Sequence, residues 1–298
     1  MSERTLPRYR APDDGVLTPA MRADYAETGV LILEGFVSRE RCAALRARAM
    51  ELVDHFDPAE VSSVFSTDSE QQLDDRYFIE SGDQICFFLE EEAVDADGRL
   101  TRSKSESLNK MGHAMHDLDP TFDRFSHTPE LAAVADGVGL EDPVIIQSMY
   151  IFKPPFIGGE VFSHQDSTYL LTEPESCTGF WFALEDATLE NGCMEFIPGE
   201  HRGPLKKRNY RVDAYRLKTE TVDDSPWPED RRLPAEASAG TLVVFHGRTP
   251  HRSAANRSSQ SRHAYTLHAI DRGCAYPASN WLQRSPDLPL RGFVSNRG

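Results

Sequence analysis

The stretch GFWFALEDATLENGCMEFIPG (residues 179–199) holds two apolar, aromatic runs on either side of a polar segment that contains Asn191-Gly192. Asn-Gly is the strongest short-range signal for a two-residue β-hairpin, so the stretch predicts two strands joined by a tight turn. Comparable short runs, bounded by Gly, Pro or Asn, are PVIIQSMYIFKPP (143–155), GTLVVFHG (240–247) and RHAYTLHAID (262–271). No helical pattern separates them, as a parallel sheet with crossover helices would require. The pattern therefore predicts an antiparallel double-sheet jelly roll.

The residues before this β-rich part predict helices. TPAMRADYAETG (18–29) opens with a Thr cap followed by Pro and ends at a glycine, and Ser38 precedes a second segment with apolar residues at helical spacing. Helix is also predicted over 105–125, whereas the polar residues 57–83 are expected to be irregular. These patterns indicate a helical layer, mostly within 18–125, on the outside of the sheets.

The expected fold is mainly β with α: a double-stranded β-helix, or cupin-like jelly roll, with N-terminal helices packed on the outside. The chain has no internal repeat and no low-complexity linker, so we expect a single domain over 1–298 with the jelly-roll core at about 143–271. A charged, Pro-containing insert at 203–238 interrupts that core. Long loops in compact domains often serve as lids or binding loops, which favours a lid here.

Composition and charge narrow the function classes. The chain carries 32 basic and 48 acidic residues, a net charge of −16, which disfavours nucleic acid and anionic membranes as partners. No apolar run is long enough to span a bilayer, and residues 1–15 lack the apolar core of a secretory signal. The 5 cysteines are scattered without a C-x-x-C pair, as is typical of a reducing compartment. We therefore expect a cytoplasmic protein, monomeric by default.

A histidine and an aspartate lie two positions apart in EVFSHQDSTYLL (160–171). On an extended strand, side chains at i and i+2 project from the same face, so His164 and Asp166 would present an imidazole and a carboxylate to one ion. A second histidine would complete a 2-His-1-carboxylate facial triad, which leaves positions open for non-haem Fe(II) chemistry. Alone, the pair is also compatible with a solvated loop.

Two histidines compete for the third position. His246 closes the apolar strand LVVF, whereas His251 follows a Gly-Arg-Thr-Pro turn. The residues after His251 form a coherent set, with Ser253 on the same strand face and Arg262 in the next apolar run. A cation in such a run is costly to bury without an anion. The spacing favours His251, with His246 as the alternative.

The combination of H-Q-D, ENGCMEFIPGEH and H-x-S-x-x-N-x-S-x-x-x-R resembles the phytanoyl-CoA dioxygenase (PhyH) family of Fe(II)/2-oxoglutarate oxygenases. SMYIFKPPFIGGEVFSHQD and EDATLENGCMEFIPG particularly resemble its subgroup of phytanoyl-CoA dioxygenase domain-containing proteins. The similarity covers nearly the whole chain and is strongest across 145–200 and 240–270.

The resemblance implies a role for each matching residue. His164, Asp166 and His251 would hold iron, and Arg262 would pair with the distal carboxylate of 2-oxoglutarate, with Ser253 adding a hydrogen bond. An arginine fork suits a buried carboxylate better than a lysine does. Further residues that match positions lining the co-substrate pocket are Lys110, Met149 and Trp181, with Phe182 as the alternative to Trp181.

The resemblance also implies the chemistry. The expected activity is hydroxylation of a substrate C–H bond with 2-oxoglutarate and O2, releasing succinate and CO2, with ascorbate as a supporting reductant. Asp166 argues against halogenation, because related halogenases replace this carboxylate with a small residue. The substrate would be an acyl-CoA or a small metabolite, and the basic segment at 201–211 is the feature that suits a CoA phosphate. The alternative is a catalytically silent jelly-roll protein that binds a small molecule or a partner.

Other histidines and aromatic residues have simpler interpretations. His113 and His116, three apart in the predicted helix, are interpreted as surface or core residues, as are the strand residues His263 and His268. Several aromatic residues around the H-Q-D motif are interpreted as barrel packing, although they are also compatible with a substrate cage: Phe152, Phe156, Phe162 and Tyr169.

Overall fold

A computed structural model describes residues 5–58, 63–65 and 73–294. Its α-helices, in chain order, are α1 (Pro19–Thr28), α2 (Arg39–His55), α3 (Arg76–Ile79), α4 (Lys104–Ser107), α5 (Met115–Leu118), α6 (Pro120–Ser126) and α7 (Pro129–Gly137). The strands are β1 (Arg8–Arg10), β2 (Val30–Glu34), β3 (Val64–Phe65), β4 (Ile85–Glu90), β5 (Leu108–His113), β6 (Pro143–Ile151), β7 (Val161–His164), β8 (Thr178–Ala183), β9 (Met194–Phe196), β10 (Lys207–Asp213), β11 (Arg216–Thr221), β12 (Leu233–Ala235), β13 (Leu242–His246), β14 (His251–Ser253), β15 (Ala264–Asp271) and β16 (Arg291–Gly292).

The two long N-terminal helices begin at the predicted caps. The side chain of Thr18 accepts a hydrogen bond from the backbone N–H of Met21, and that of Ser38 accepts one from Arg41. Each cap satisfies an N–H group that has no partner inside the helix. Helix α1 ends at Gly29, whose φ of 73° is in the left-handed region that favours glycine. These predictions are confirmed.

Two sheets form the body of the molecule. The large sheet has the order β1-β2-β13-β8-β15-β6-β5-β4-β3, with β16 paired to β6. Its central pairs are antiparallel, and only its edge pairs β1–β2 and β3–β4 are parallel among the described residues. The smaller sheet has the order β12-β9-β14-β7, and all its pairs are antiparallel.

Successive side chains of the large sheet point to opposite faces and pack into different buried clusters. On β8, Phe180 and Phe182 pack in the cluster formed with the helices, whereas Trp181 and Ala183 pack in the cluster between the sheets. The second cluster also contains Phe196 of the smaller sheet. Burying both faces of the large sheet in this way removes its apolar side chains from water. The predicted double-stranded β-helix with helices on the outside is confirmed.

Part of the predicted helical segment 105–125 is a strand. Residues 108–113 form β5, which pairs with β4 and β6 and extends the large sheet. All but one residue of β5 are buried. A strand buried on both faces lacks the apolar-polar alternation that distinguishes a strand from a helix. Helix resumes only at Met115.

The Asn191-Gly192 turn does not close a hairpin. The strands on its two sides, β8 and β9, belong to different sheets, so the turn carries the chain from one sheet to the other. Asn191 stabilises it by accepting a hydrogen bond from the Thr188 N–H (2.8 Å) and donating one to the Asp186 carbonyl (2.9 Å). The hairpin prediction was wrong because the turn signal gives the bend but not the partner of each strand.

The insert at 203–238 contains regular structure. Strands β10 and β11 form a two-stranded antiparallel hairpin, and β12 pairs with β9 at the edge of the smaller sheet. Of the segment expected to be irregular, 57–83, residues 59–62 and 66–72 lie outside the described residues, while α3 and the short β3 are ordered elements. Within the described part of the chain, no helix combines the length and apolar character needed to cross a bilayer.

Candidate metal centre and its cavity

Three potential metal ligands meet where two strands of the smaller sheet lie side by side. His164 ends β7, Asp166 begins the turn that follows it, and His251 opens β14. The antiparallel register pairs His251 directly with His164. One ligand atom from each of the three residues lies within 4.8 Å of the other two. The distance is short enough for all three to bind one ion.

Backbone hydrogen bonds orient both imidazole rings. The Nδ1–H of His164 donates to the Phe162 carbonyl (2.8 Å), and that of His251 donates to the Thr249 carbonyl (3.0 Å). Each ring therefore turns an unprotonated Nε2 inward, 3.4 and 3.5 Å from Asp166 Oδ1. Burial and the neighbouring His164 ring lower the pKa of His251 to about 4, so its ring is neutral at physiological pH. This is the donor set of a facial triad.

A third histidine holds the other oxygen of the carboxylate. His268 Nε2–H donates to Asp166 Oδ2 at 3.0 Å, which leaves Oδ1 facing the two ligand nitrogens. Burial opposes ionisation of Asp166, but the imidazole groups of His268 and His251 outweigh it and hold the pKa of this carboxyl well below its usual range. The interpretation of His268 as an ordinary core residue missed this contact. A usable signal was its even spacing from Arg262, which lies just before β15, since side chains an even number of positions apart share one side of an extended chain.

Arg262 is a buried cation with an unused donor. Its side chain is only 1% exposed; Nε donates to the Gly192 carbonyl (3.2 Å) and Nη2 to Ser253 Oγ (3.1 Å). Nη1 has no hydrogen-bond partner among the described residues. Burial lowers the pKa of Arg262 only to about 10, so the guanidinium stays charged at neutral pH. A buried, charged and unsatisfied donor fits an anionic ligand such as a carboxylate.

The triad and Arg262 line one cavity of about 280 Å³. The three residues predicted to line a co-substrate pocket, Lys110, Met149 and Trp181, also line it. Trp181 faces the space between the sheets, whereas Phe182, its alternative, packs towards the helices. His246, the alternative third ligand, is not in this cluster and packs against His201, with ring centroids 5.3 Å apart.

Two of the four aromatic residues interpreted as barrel packing or as a substrate cage line the cavity. Phe162 and Tyr169 border the cavity and are 45% and 38% exposed. Phe156 is also largely exposed, so only Phe152 belongs to the buried core. His113 and His116 are both fully buried, and His113 lies on β5 and faces the cavity.

One flank of the cavity is fixed by a side chain from the insert. Arg211 of β10 donates from Nη2 to the Ile79 carbonyl (2.9 Å) and from Nε to the Trp281 carbonyl (2.8 Å). The Trp281 ring stacks on Phe78 with centroids 4.5 Å apart, and both rings line the cavity. The insert therefore holds together a wall made from distant parts of the chain.

Known proteins are similar to this chain in sequence. The family model for phytanoyl-CoA dioxygenase (PhyH) matches residues 25–264. Phytanoyl-CoA dioxygenase of Arabidopsis thaliana is 43% identical, over 91% of this chain and 95% of that protein. Phytanoyl-CoA dioxygenase domain-containing protein 1 of Bos taurus is 42% identical, over 92% of this chain and 97% of that protein. The resemblance seen in the motifs is confirmed.

Solved structures agree at the level of the fold. The non-haem α-ketoglutarate-dependent carbocyclase SnoK from nogalamycin biosynthesis matches with a TM-score of 0.64 at 18% identity, over 96% of this chain and 100% of that one. EctD from S. alaskensis, solved with 2-oxoglutarate and 5-hydroxyectoine, matches with a TM-score of 0.58 at 17% identity, over 96% and 93% of the two chains. Together with the family match and the triad geometry, these findings identify the chain as a member of the phytanoyl-CoA dioxygenase family of Fe(II)/2-oxoglutarate-dependent dioxygenases.

Proposed function

We propose that this chain hydroxylates a C–H bond of a small organic substrate, consuming 2-oxoglutarate and O2 and releasing succinate and CO2. The observation that carries the proposal is the presence of a three-residue ligand set and a buried arginine with a free donor in one cavity. The first suits a divalent metal and the second suits a carboxylate. The fold alone requires neither.

The three ligands have distinct contributions. His164 and His251 would bind Fe(II) through Nε2, and Asp166 through Oδ1, because their other polar atoms are engaged by carbonyl groups and by His268. A facial triad leaves the remaining coordination positions for the co-substrate and O2. When bound, Fe(II) and 2-oxoglutarate supply the oxidative decarboxylation that drives C–H hydroxylation. Asp166 occupies the position that halogenases leave open, which favours hydroxylation over halogenation.

Arg262 would receive the distal carboxylate of 2-oxoglutarate, whereas Ser253 would position the arginine, because the only hydrogen of its hydroxyl is donated to the Gly192 carbonyl. Nη1 of Arg262 is a spare donor, while the Ser253 hydroxyl, which donates to the Gly192 carbonyl at 2.8 Å, keeps Nη2 in place. The apolar parts of Trp181 and Met149 would exclude water around the bound molecule. The walls thereby strengthen the ion pair, since electrostatic interactions increase as water is removed.

The proposal is tested by removing the carboxylate ligand. Asp166→Ala should abolish both iron retention and succinate formation from 2-oxoglutarate with Fe(II), O2 and ascorbate, because two neutral imidazoles bind Fe(II) weakly. Asp136→Ala is the matched control, since the Asp136 side chain is exposed and pairs at the surface with Arg22, away from the cavity. Metal content after gel filtration and succinate release are measured for both variants. Succinate formation that persists in Asp166→Ala would contradict the ligand assignment.

A paired histidine test separates the two third-ligand candidates. His251→Ala should lose the metal and the visible charge-transfer band that forms when 2-oxoglutarate binds to the Fe(II) protein without O2. His246→Ala should keep both, since His246 lies against His201 and outside the triad. A wild-type protein that retains no iron and forms no succinate with any substrate in a screen would instead support a binding protein without turnover.

A further inference from the structure

His113 presents an unused nitrogen to the cavity. Its side chain is fully buried and lines the same space as the triad and Arg262. Its Nε2 has no hydrogen-bond partner within residues 5–58, 63–65 and 73–294. A buried polar atom without a partner is costly, so such an atom beside a cavity indicates a ligand group that satisfies it.

A hydrogen-bond chain fixes the tautomer of this ring. The Ser81 hydroxyl donates its only hydrogen to the Phe78 carbonyl (2.6 Å), so towards His113 Nδ1, 2.8 Å away, its oxygen can only accept. Nδ1 must therefore carry the proton, and Nε2 offers a lone pair. Burial, and then the neighbouring Lys110, hold the pKa of His113 well below its usual range, so the ring is neutral. The cavity thus contains a fixed hydrogen-bond acceptor.

Aromatic rings surround this acceptor. The imidazole of His113 lies 5.8 Å from Phe78, 5.5 Å from Phe88 and 5.1 Å from Trp281, measured between ring centroids. The Lys110 ammonium lies against two of the same rings, 5.5 Å from the centroid of Phe78 and 5.4 Å from that of Phe88. The compartment therefore combines apolar walls with one acceptor and one neighbouring donor.

The compartment lies within a small molecule's reach of the metal site. Strands β5, which carries His113, and β15, which carries His268, are both direct neighbours of β6. Strands two places apart in a sheet are about 10 Å apart. His268 in turn touches the metal ligand Asp166. A molecule with a group at His113 can therefore present a carbon several bonds away to the triad.

We propose that His113, with Phe78 and Trp281, forms the substrate-recognition subsite of this enzyme, and that the substrate carries a hydroxyl or N–H donor on an apolar body. This inference rests on the proposed function and adds the substrate class to it. A hydroxyl or N–H group can donate to His113 Nε2, while its apolar body packs against Phe78 and Trp281. A hydrocarbon leaves the acceptor unpaired, and a carboxylate offers it no hydrogen. His113 is a specificity residue in this scheme.

Matched probe pairs test the donor requirement without turnover. The full-length protein is loaded with Zn(II) and 2-oxoglutarate, and NMR titration gives the Kd of cyclohexanol, 2-phenylethanol and the methyl ether of each. We expect each alcohol to bind about fivefold to tenfold more tightly than its ether, because only the alcohol donates to Nε2. Equal affinities, or tighter binding of the ethers, would overturn the proposal.

Three variants assign the preference to one atom. His113→Phe keeps a ring against Phe78 and Trp281 but removes the acceptor, so the alcohol preference should vanish. His113→Gln returns an acceptor at a similar reach and should restore part of it. His127→Phe is the matched control: His127 Nε2 also lacks a partner among the described residues but does not line the cavity, so the preference should stay. An unchanged preference in His113→Phe, or its loss in His127→Phe, would overturn the assignment.

A second readout needs no variant. The ¹⁵N signal of an unprotonated imidazole nitrogen shifts when it accepts a hydrogen bond, so the alcohols should move the Nε2 signal of His113 in the wild-type protein and the ethers should not. No alcohol-dependent shift would contradict the subsite even if His113→Phe does not fold. Iron content and basal succinate formation distinguish the two proposals. A wild-type protein that retains no iron and forms no succinate refutes the proposed function, whereas these titrations still report whether His113 accepts a hydrogen bond from a ligand.

Discussion

Asp166 is held by a residue that does not itself face the metal position. His268 donates to Oδ2, so that Oδ1 is the oxygen directed towards His164 and His251. A hydrogen bond of this kind restrains the carboxylate rotation and favours binding through one oxygen. His268 is therefore a positioning residue for the metal centre.

Removing this hydrogen bond should weaken metal binding. We expect His268→Phe to lower the affinity for Fe(II) by about tenfold, as is typical when the hydrogen-bond partner of a metal ligand is lost. His268→Gln, whose amide can donate to Oδ2, should recover most of the affinity. Anaerobic titration against a competing chelator measures both. Equal Fe(II) affinity in the wild type and His268→Phe would show that the hydrogen bond does not position the ligand.

Some of these side chains could be assigned to the site from the sequence, and others could not. His164 and Asp166 could be paired because two positions on a strand share a face, and His251 because Ser253 and Arg262 follow it. His113 and His268 could not be placed, because their positions depend on which strands lie next to β6 and in what register. Periodicity gives the face of a strand but not its neighbours.

The turn at Asn191-Gly192 connects the two sheets and also serves the site. The Gly192 carbonyl accepts hydrogen bonds from both Ser253 Oγ and Arg262 Nε. Gly192 has a φ of 80°, and an added Cβ would lie 2.3 Å from the Ala254 carbonyl oxygen. Only glycine fits at this position. The residue that indicated a hairpin in the sequence is therefore needed to place the carbonyl group that holds the Arg262 side chain.

Substitution of this glycine should affect stability and co-substrate binding together. Gly192→Ala is expected to destabilise the fold by about 2 kcal/mol or more and to weaken 2-oxoglutarate binding, because the carbonyl that holds Arg262 must move. Gly35→Ala is the control: its φ is 69°, but nothing lies within 4 Å of an added Cβ. Thermal unfolding and calorimetric titration of 2-oxoglutarate are the measurements. Full co-substrate affinity in Gly192→Ala would contradict this role.

Elements with clear local signals were predictable, and those defined by long-range pairing were not. The caps at Thr18 and Ser38 and the apolar runs that became β6, β8, β13 and β15 could be identified from residue types alone. Strand β5 was mistaken for helix because burial on both faces removes its alternation. The β10–β11 hairpin lacks a two-residue turn signal strong enough to reveal it in a charged insert.

Across the molecule, the candidate ligands of the metal and of 2-oxoglutarate come from two different sheets. Arg262 leads into β15 of the large sheet, whereas His164 and His251 belong to the smaller sheet. A metal bound together with 2-oxoglutarate would bridge the two sheets. Ligands that bind only the folded state stabilise it by mass action.

A divalent metal and 2-oxoglutarate, bound together, should therefore raise the unfolding temperature of the protein. At a concentration about one hundred times Kd, the expected stabilisation is about 2.7 kcal/mol, which corresponds to several degrees for a protein of this size. Mn(II) with 2-oxoglutarate, which does not turn over, is added to the wild type and to Asp166→Ala, and a chelator should reverse the effect. A shift of the same size in Asp166→Ala would place the stabilising site elsewhere.

The contacts of Arg211 with Ile79 and Trp281 also bear on how the protein is made. Synthesis proceeds from the N-terminus, so the strands that carry His164 and His251 emerge from the ribosome before Trp281 does. The residues of the metal site therefore precede, along the chain, the tryptophan that completes this flank of the cavity. Closing that flank joins residues far apart along the chain, at a cost in loop entropy that the completed sheets have already reduced. The wall that Arg211 joins is therefore the part of the cavity whose last residue, Trp281, the chain supplies after all the others.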